Sequence, residues 1–297
     1  MQRRNFGIFI LSHQRANNVI TLRALERTNN TYPWWLIIDN EDPQLDEYLS
    51  RFGNDRVIVF DKSKYDQVSD TGDSLRKRNS PLWARNAAFD IAKELKLEYF
   101  LVLDDDYVRI NHRFIVNQGE PNERDYNILI TNMDAVNEAM LDLLEDTGAD
   151  CVAMAQGGDF IGGRGGIMQQ GITFRQIRKI MNSFYFRTDN PIRFMSRMND
   201  DVTTYVVHGG WGRKFFTCLR LQINQAVTQQ NSGGITPLYL ESGTYIKSFY
   251  SVMFAPSCVK ISCMGRTDDR FHHRISWNNA VPRIISPQWR KPELIDA

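Results

Sequence analysis

The sequence predicts an α/β fold with a mostly parallel central sheet that is flanked by helices. Short apolar runs alternate with segments of helical periodicity through the first 106 residues, and this alternation is typical of a parallel sheet with helices on both faces. Acidic residues also follow several of the apolar runs directly. Because ligands of such sheets collect at the carboxyl ends of the strands, these acids mark a candidate site.

In the N-terminal part, the predicted strands are short continuous apolar runs of the kind that is buried on both faces of a sheet. They comprise residues 6–11, 34–38, 57–60 and 99–103. The predicted helices have apolar residues at helical spacing, and they comprise residues 17–27, 45–52 and 81–95. Residues 62–80 are polar and follow neither period, so we expect a long surface loop there.

The second half has a less regular pattern. A helix is predicted at 132–144 from its apolar spacing, and residues 157–166 form a glycine-rich loop. Short apolar runs predict further strands at residues 150–155, 184–186, 205–207, 218–223 and 250–254. Neither a linker composition nor an internal repeat divides the chain, so we expect residues 1–297 to form a single domain with two functional halves.

The net charge, the cysteines and the length of the apolar runs argue against several classes of protein. The net charge of +1 gives no global field that would draw the chain to nucleic acid or to a membrane, so a polyanion would have to meet a local patch. The four cysteines form no CxxC pair, which argues against a disulfide framework or a thiolate metal site. No apolar run is long enough for a membrane span or a signal peptide, and we therefore expect a cytoplasmic protein.

Three consecutive acids, Asp104, Asp105 and Asp106, follow the fourth predicted strand. Residues i and i+2 of an extended segment point the same way, so Asp104 and Asp106 can address one site while Asp105 faces the other side. Carboxylates suit Mn²⁺ or Mg²⁺, and such a metal can neutralise charge on a departing diphosphate. The alternative is a solvated acidic turn, which is costly directly after an apolar strand without a cation.

Three residues are candidates for donor binding. Asp39 ends the second predicted strand, where a carboxylate can accept hydrogen bonds from a nucleotide base or ribose. Arg85 and Asn86 lie early in the helix before the fourth strand, and they can reach the same crevice to contact nucleotide or diphosphate. A turn or helix cap is the alternative for Asp39, and ordinary surface charge is the alternative for the other two.

Further candidates lie in the second half. Asp200 or Asp201 can be the general base that deprotonates an acceptor hydroxyl, or either can cap the next element. His272 or His273 can complete the metal coordination, although histidines are more often structural. Acceptor contacts are expected from Gly163 and Arg164 in the glycine-rich loop and from Trp211, since an aromatic ring can stack on an extruded base.

The sequence also resembles a known family. The order of strand, acidic strand end, Ala84-Arg85-Asn86 helix and Leu101-Val102-Leu103-Asp104-Asp105-Asp106 is similar to GT-A glycosyltransferases over residues 5 to 109. Four runs in the second half are similar to the TET-associated glycosyltransferases of bacteriophages. These runs are 199–205, 229–234, 243–250 and 272–275.

This resemblance implies a nucleotide-sugar-binding half at 1–109 and an acceptor-binding half at 110–297. It implies transfer of a sugar from a UDP-sugar to 5-hydroxymethylcytosine in phage DNA, in the host cytoplasm. The implied roles are metal and diphosphate binding by Asp104 and Asp106, with Asp105 beside them on the donor. By the same resemblance, Asp39, Arg85 and Asn86 bind the nucleotide. The general base is Asp200 or Asp201, and His272 or His273 is a metal ligand.

Three alternatives remain open at this point. A nucleotidyltransferase on the same sheet would need a glycine- and lysine-rich loop after the first strand, where residues 11–16 are Leu-Ser-His-Gln-Arg-Ala. A GT-A enzyme with another acceptor, or an inactive GT-A-like module that only binds DNA or protein, would share much of the pattern. Basic residues of the second half would bind DNA phosphates only if they gathered on one face.

Overall fold

The computed structural model describes residues 3–75, 77–117, 120–160, 179–226, 235–264 and 270–282. The helices in these residues are α1 (Ile20–Arg27), α2 (Leu45–Phe52), α3 (Leu82–Glu94), α4 (Met133–Thr147), α5 (Asp200–Gly210), α6 (Thr236–Ser242) and α7 (Lys247–Phe254). The strands are β1 (Phe6–Leu11), β2 (Trp34–Asp39), β3 (Val57–Phe60), β4 (Tyr99–Asp104), β5 (Tyr107–Val116), β6 (Arg124–Leu129), β7 (Cys151–Gln156), β8 (Ser183–Arg187), β9 (Phe215–Gln225), β10 (Val259–Met264) and β11 (Arg270–Ile275).

One nine-stranded sheet contains strands from both halves of the chain, in the order β3-β2-β1-β4-β8-β7-β9-β5-β6. The first four strands in this order are parallel, which confirms the α/β prediction for the N-terminal part. From β8 onward the sheet is mixed, because β8 runs antiparallel to both β4 and β7 while β7 and β9 are parallel. A separate antiparallel hairpin is formed by β10 and β11.

Strand β1 shows why the N-terminal pattern was a continuous apolar run. Its residues are all buried, and they alternate between two hydrophobic clusters on opposite faces of the sheet. Phe9 and Leu11 pack on the face covered by α3, whereas Ile8 and Ile10 pack on the other face. A strand that is covered on both faces needs an apolar residue at every position, so its period of two disappears from the sequence.

Two of the predicted strands are helical. Residues 205–207 lie within α5 and residues 250–254 lie within α7. Both segments are rich in β-branched or aromatic residues, but this preference depends on packing and yields to the tertiary environment. In α7, Tyr250 and Ser251 are buried while Phe249 and Met253 are exposed, which is the spacing of a helix with one face on the protein.

Other differences concern elements that the sequence pattern did not indicate. Strands β5, β6, β10 and β11 were not predicted; β6 is mostly exposed and carries charged residues, so it lacks an apolar signal. The expected surface loop at 62–80 contains a short 3-10 helix at Lys62–Tyr65, and both Lys62 and Ser69 are buried. Of the predicted glycine-rich loop, the structure describes residues 157–160, which form another 3-10 turn. No helix in the described part of the chain is long and apolar enough to cross a membrane.

Candidate active site

A cavity of about 330 Å³ opens at the carboxyl ends of β1, β2 and β4. This is the edge of the sheet at which the sequence predicted a site. Its wall combines carboxylates with cationic side chains, and residues from α5, α6 and α7 close it from the second half. The charged lining residues are Asp39, Asp104, Asp105, Asp106, Asp200, Asp201, His13, Arg15, Lys62, Arg78, Arg85 and Lys247.

The three acids after β4 all line this cavity, with different partners. Asp104 is the last residue of β4, while Asp105 and Asp106 form the turn into β5. The buried carboxylate of Asp105 accepts hydrogen bonds from Ser12 Oγ at 2.5 Å and from Arg15 Nη1 at 2.6 Å. Gln225 Nε2 donates to Asp106 at 3.0 Å. Asp105 is therefore held by residues that follow β1, whereas Asp106 is held by Gln225 of β9.

The acidic turn holds more negative charge than its surroundings neutralise. Burial, and then repulsion from Asp104 and Asp105, raises the pKa of Asp106 to about 7. Burial also raises the pKa of Asp105, although Arg15 opposes that shift. A cation placed against these carboxylates would relieve both the desolvation and the mutual repulsion.

Arg85 joins the two acidic groups of the site. Its guanidinium donates to Asp200 at 2.6 Å and to Asp104 at 3.2 Å, and it also contacts the side chain of Asn182 at 3.2 Å. The group is 2% exposed and lies over the ring of Phe184. These acids hold the pKa of Arg85 above its usual value against the effect of burial, so its guanidinium stays charged. Arg85 lines the cavity, and its hydrogen bonds are with the protein side chains of Asp104, Asp200 and Asn182.

Asp200 and Asp201 form the first turn of α5, and both line the cavity. The turn is preceded by Asn199, whose left-handed φ of +57° is tolerated by asparagine and redirects the chain into the helix. Burial raises the pKa of both carboxyl groups, although Arg85 opposes this for each. Asp200 is bound by Arg85, whereas Asp201 accepts from the backbone N–H of Val202 at 2.7 Å.

Asp39 lies at the other end of the cavity in a charge-balanced network. Lys62 Nζ is 2.8 Å from one oxygen, and His13 Nδ1 is 3.0 Å from the other and 3.2 Å from Asp42. Burial opposes protonation of His13, but the two carboxylates outweigh it and raise its pKa to about 9. The same contacts lower the pKa of Asp39 against the effect of burial. His13, Asp39 and Asp42 could geometrically hold a metal, but a lysine and a protonated histidine already neutralise these acids.

Asn86 corrects one donor-binding prediction. It does not line the cavity and is fully buried on the inner side of α3. Its amide donates to Ser69 Oγ at 2.9 Å and to the carbonyl of Phe194 at 3.1 Å, and it accepts from the Phe194 N–H at 2.8 Å. Asn86 therefore holds two loops together, and this structural role occupies both ends of the side chain.

Trp211, which was predicted to contact the acceptor, lies away from the cavity. Because residues 205–207 are helical, Trp211 lies at the C-terminal end of α5, about 16 Å along the axis from the acids of the first turn. It is 68% exposed, packs against His208 and does not line the cavity. The other predicted acceptor contacts, Gly163 and Arg164, lie outside the described residues.

His272 and His273 lie on β11, and neither lines the cavity. His273 contacts the amide of Asn199 at 3.1 Å, so it lies behind a cavity residue. Burial, with the nearby His272 and Lys247, lowers the pKa of His273 to about 3. Among the described residues, a group of three side chains that could bind a metal has its ligand atoms within 4.8 Å of one another. This group consists of His13, Asp39 and Asp42. Within the described residues neither late histidine belongs to a ligand group with Asp104 and Asp106. Strand β11 lies behind the cavity residues Asn199 and Lys247.

Several cavity residues were not singled out from the sequence. His13 and Arg15 directly follow β1, so their position after a strand is the signal that could have identified them. Lys62 and Arg78 lie in the segment that was expected to be a surface loop, and Lys247 lies at the start of α7, which was not predicted as a helix. Only the tertiary structure brings these three cations to the cavity.

Comparison with solved structures finds distant similarity. Glucosyl-3-phosphoglycerate synthase from Mycobacterium tuberculosis, in complex with Mg²⁺ and UDP, is 6% identical with a TM-score of 0.47, covering 92% of this chain and 88% of that one. GalNAc-T7 with UDP, GalNAc and Mn²⁺ is 13% identical with a TM-score of 0.42, covering 75% and 44%. A cytidylyltransferase from Leptospira borgpetersenii is 14% identical with a TM-score of 0.38, covering 86% and 93%.

Sequence comparison gives a family assignment. A search of curated proteins finds no significant match to this chain. The family model described as TET-Associated Glycosyltransferase matches residues 6–234, which is most of the chain and includes the strand ends and the first turn of α5. The chain therefore belongs to the TET-associated glycosyltransferase family.

Proposed function

We propose that this glycosyltransferase moves a sugar from a UDP-sugar to the hydroxyl of 5-hydroxymethylcytosine in DNA, with a divalent metal ion at Asp104 and Asp106. The observation that carries the proposal is the convergence of two acidic groups on one cavity, joined by Arg85. Family membership supports the class of reaction. The resemblance of the second half to phage members of the family supports the acceptor.

The residues at the acidic turn fit a divalent cation. Asp104 and Asp106 both line the cavity, and oxygen ligands of this kind suit Mn²⁺ or Mg²⁺. The raised pKa of Asp106 reflects buried negative charge that a cation would compensate. A bound metal ion would neutralise charge on the departing diphosphate. Asp105 supports the site from behind, because Ser12 and Arg15 already hold its carboxylate.

The opposite end of the cavity suits the nucleotide. Asp39 is held in its ionised form by His13 and Lys62, so its carboxylate can accept hydrogen bonds from a ribose or base. The cations Arg78 and Lys247 also line the cavity, and they can bind diphosphate oxygens. With the nucleoside at Asp39 and the diphosphate at the acidic turn, the sugar would lie beyond the diphosphate.

The proposed base is one of the two acids at the start of α5. A buried carboxyl group with a raised pKa is a competent general base near neutral pH. Arg85 holds Asp200, which favours Asp201 as the group that takes the proton and Asp200 as the group that positions Arg85. As the hydroxymethyl oxygen bonds to the anomeric carbon, its proton passes to Asp201 and the bond from that carbon to UDP breaks.

The test is mass spectrometry of a DNA oligonucleotide containing 5-hydroxymethylcytosine, incubated with the protein, Mn²⁺ and a panel of UDP-sugars. A gain of one sugar that Asp104→Ala or Asp106→Ala abolishes would support the reaction and identify the donor. The matched control is Asp189→Ala, an acid with 68% side-chain exposure. Hydrolysis of UDP-sugar without transfer to DNA would assign a different acceptor. If the protein neither transferred sugar nor bound a UDP-sugar, it would be an inactive module that only binds a partner.

A further inference from the structure

One residue of α1 makes three hydrogen bonds to the backbone of the acidic turn after β4. Thr21 Oγ1 donates to the carbonyl of Asp104 at 2.6 Å and accepts from the N–H of Tyr107 at 3.0 Å. The N–H of Thr21 donates to the carbonyl of Asp105 at 3.1 Å. These bonds span the whole turn, from the last residue of β4 to the first residue of β5.

The same contacts explain how α1 begins. Val19 precedes the helix and provides no side-chain cap, so the N–H groups of the first turn need other acceptors. The carbonyl of Asp105 is the acceptor for the N–H of Thr21. The acidic turn therefore caps α1 and α1 fixes the turn, so that a displacement of either one breaks the bonds of both.

The hydroxyl of Thr21 is the informative feature of this contact. Thr21 is fully buried in an apolar segment, between Ile20 and Leu22. A buried hydroxyl is unfavourable unless it is hydrogen-bonded, and here the turn uses it as both donor and acceptor. Valine would fill the same space without the hydroxyl, so packing alone does not account for threonine at this position.

The backbone that Thr21 holds carries the two carboxylates of the proposed metal site. Asp104 and Asp106 line the cavity, whereas Thr21 lies outside it. A cation bound by two side chains of one turn depends on their separation, and the backbone between them sets that separation. Residues behind metal ligands orient the ligands in this way, and their loss typically weakens metal binding.

We infer that Thr21 is a positioning residue for the metal site, because its hydroxyl fixes the backbone from which Asp104 and Asp106 reach the cation. The inference rests on the proposed metal site. It goes beyond that proposal, since it assigns the geometry of the site to a residue that does not line the cavity.

The test is a titration of the protein with Mn²⁺ alone, and again with saturating UDP, in which electron paramagnetic resonance measures free Mn²⁺. Thr21→Val keeps the shape of the side chain but removes the hydroxyl, and it should raise the Kd for Mn²⁺ by about 10- to 100-fold. Thr21→Ser keeps the hydroxyl and should bind Mn²⁺ as the wild type does. Excess Mn²⁺ should restore sugar transfer by Thr21→Val, which it would not do for a misfolded site.

The matched control is Thr28→Val at the other end of α1. Thr28 is equally buried, but its Oγ1 donates within the helix, to the carbonyls of Ala24 at 3.1 Å and Leu25 at 2.8 Å. Thr28→Val should therefore lower stability, as Thr21→Val does, without changing the Kd for Mn²⁺. Urea unfolding would compare the two stabilities. An unchanged Kd in Thr21→Val, or the same increase in Thr28→Val, would overturn the inference.

Hydrogen exchange of the wild type is a second measurement, and it needs no variant. The N–H of Tyr107 is bound to Thr21 Oγ1, so a cation that fixes the turn should slow the exchange of this N–H. The N–H of Ala135, which is bound to Asn132 Oδ1 at the start of α4, is the control. Equal exchange of the Tyr107 N–H with and without Mn²⁺ would contradict the inference even if Thr21→Val did not fold.

Failure of this inference can be distinguished from failure of the proposed function. If Asp104→Ala and Asp106→Ala lose Mn²⁺ binding and Thr21→Val keeps it, the metal site is correct and the role of Thr21 is wrong. If the wild type binds no Mn²⁺ in either titration, the proposed metal site is wrong and the inference is overturned with it. If Thr21→Val loses Mn²⁺ but the wild type transfers no sugar to 5-hydroxymethylcytosine DNA, the role of Thr21 is correct and the acceptor is wrong.

Discussion

At the scale of single residues, Arg85 determines how the two acidic groups of the site are held. It bonds to Asp104 and Asp200 at once, and a lysine cannot reproduce this fork. We therefore expect Arg85→Lys to lower kcat by about 10- to 100-fold, because small displacements of reacting groups have effects of this size. Donor affinity should change less. Steady-state kinetics with a UDP-sugar titration would measure both quantities.

The opposite kinetic result would support the prediction from the sequence that Arg85 contacts the nucleotide or the diphosphate. If Arg85→Lys kept kcat and raised the Kd for UDP, the main role of Arg85 would be donor binding. Arg187→Lys is the control, because Arg187 forms a similar fork with Asp189 on the surface.

His13 provides a pH-dependent contribution to stability. Its pKa in the folded protein is about 9, compared with about 6.5 in an unfolded chain. A raised pKa contributes stability that is fully present below about pH 6.5 and is lost as the pH rises through about 9. We expect His13→Gln to be less stable than the wild type at pH 6.5 and to approach it above pH 9. Urea unfolding at several pH values would measure this difference.

The control for that experiment is His112→Gln, since His112 is exposed on β5. A difference between His13→Gln and the wild type that stayed constant from pH 6 to pH 10 would mean that the charge pair with Asp39 and Asp42 does not form in solution.

At the scale of secondary-structure elements, α5 holds Trp211 at the opposite end of the helix from the acids of its first turn. Asp201 lies in the first turn and Trp211 follows the last turn. We expect Trp211→Ala to keep kcat/KM within about twofold of the wild type, because an exposed ring remote from the cavity changes neither binding nor folding appreciably. A large rise in the KM for DNA would show instead that the acceptor extends along α5.

Helix α3 shows how one element presents a functional and a structural residue side by side. Arg85 faces the cavity, whereas Asn86 bonds to Ser69 and Phe194. Asn86→Ala should cost about 1–3 kcal/mol of unfolding free energy, because it leaves buried backbone groups without partners. UDP affinity of the folded variant should be unchanged. Calorimetric titration with UDP and a denaturation curve would measure the two quantities. Loss of UDP binding at wild-type stability would contradict this prediction.

At the scale of the whole molecule, a partly buried ion pair joins the two halves of the chain. Arg197, which precedes α5, forms a fork with Asp73 in the segment before α3, and Tyr250 of α7 also bonds to Asp73. Arg197 is 2% exposed. Removing Arg197 leaves Asp73 with 15% side-chain exposure and a hydrogen bond from Tyr250, so we expect Arg197→Ala to cost about 3 kcal/mol, the lower end of the range for buried pairs. Chemical denaturation would measure the loss.

The control is an exposed pair of the same geometry. Arg187 forms two parallel bonds to Asp189, at 45% and 68% side-chain exposure, and Arg187→Ala should cost at most about 1 kcal/mol. Equal costs for the two variants would mean that the contact with Asp73 adds nothing between the halves. The single domain expected at 1–297 stays a prediction, and one cooperative transition in the same experiment would support it.

The sequence by itself determined the parallel part of the sheet and the acidic strand ends. In β1, β2 and β4 every position is apolar or nearly so, because both faces are covered. Such a local pattern needs no knowledge of distant contacts. The position of Asp39 and of Asp104 at strand ends then follows from topology, since parallel strands end at the same edge.

Only the tertiary structure decided which residues meet at that edge and which have other roles. Arg85 and Asn86 are neighbours with similar sequence signals, and their different roles depend on which side of α3 faces the sheet and which loops pack there. Helices α5 and α7 have sequences that favour strands, but contacts with residues far along the chain, such as that of Ser251 with Asn199, hold them helical. Interactions of this range leave no local pattern, so the position of Lys247 in the cavity could not be found from the sequence.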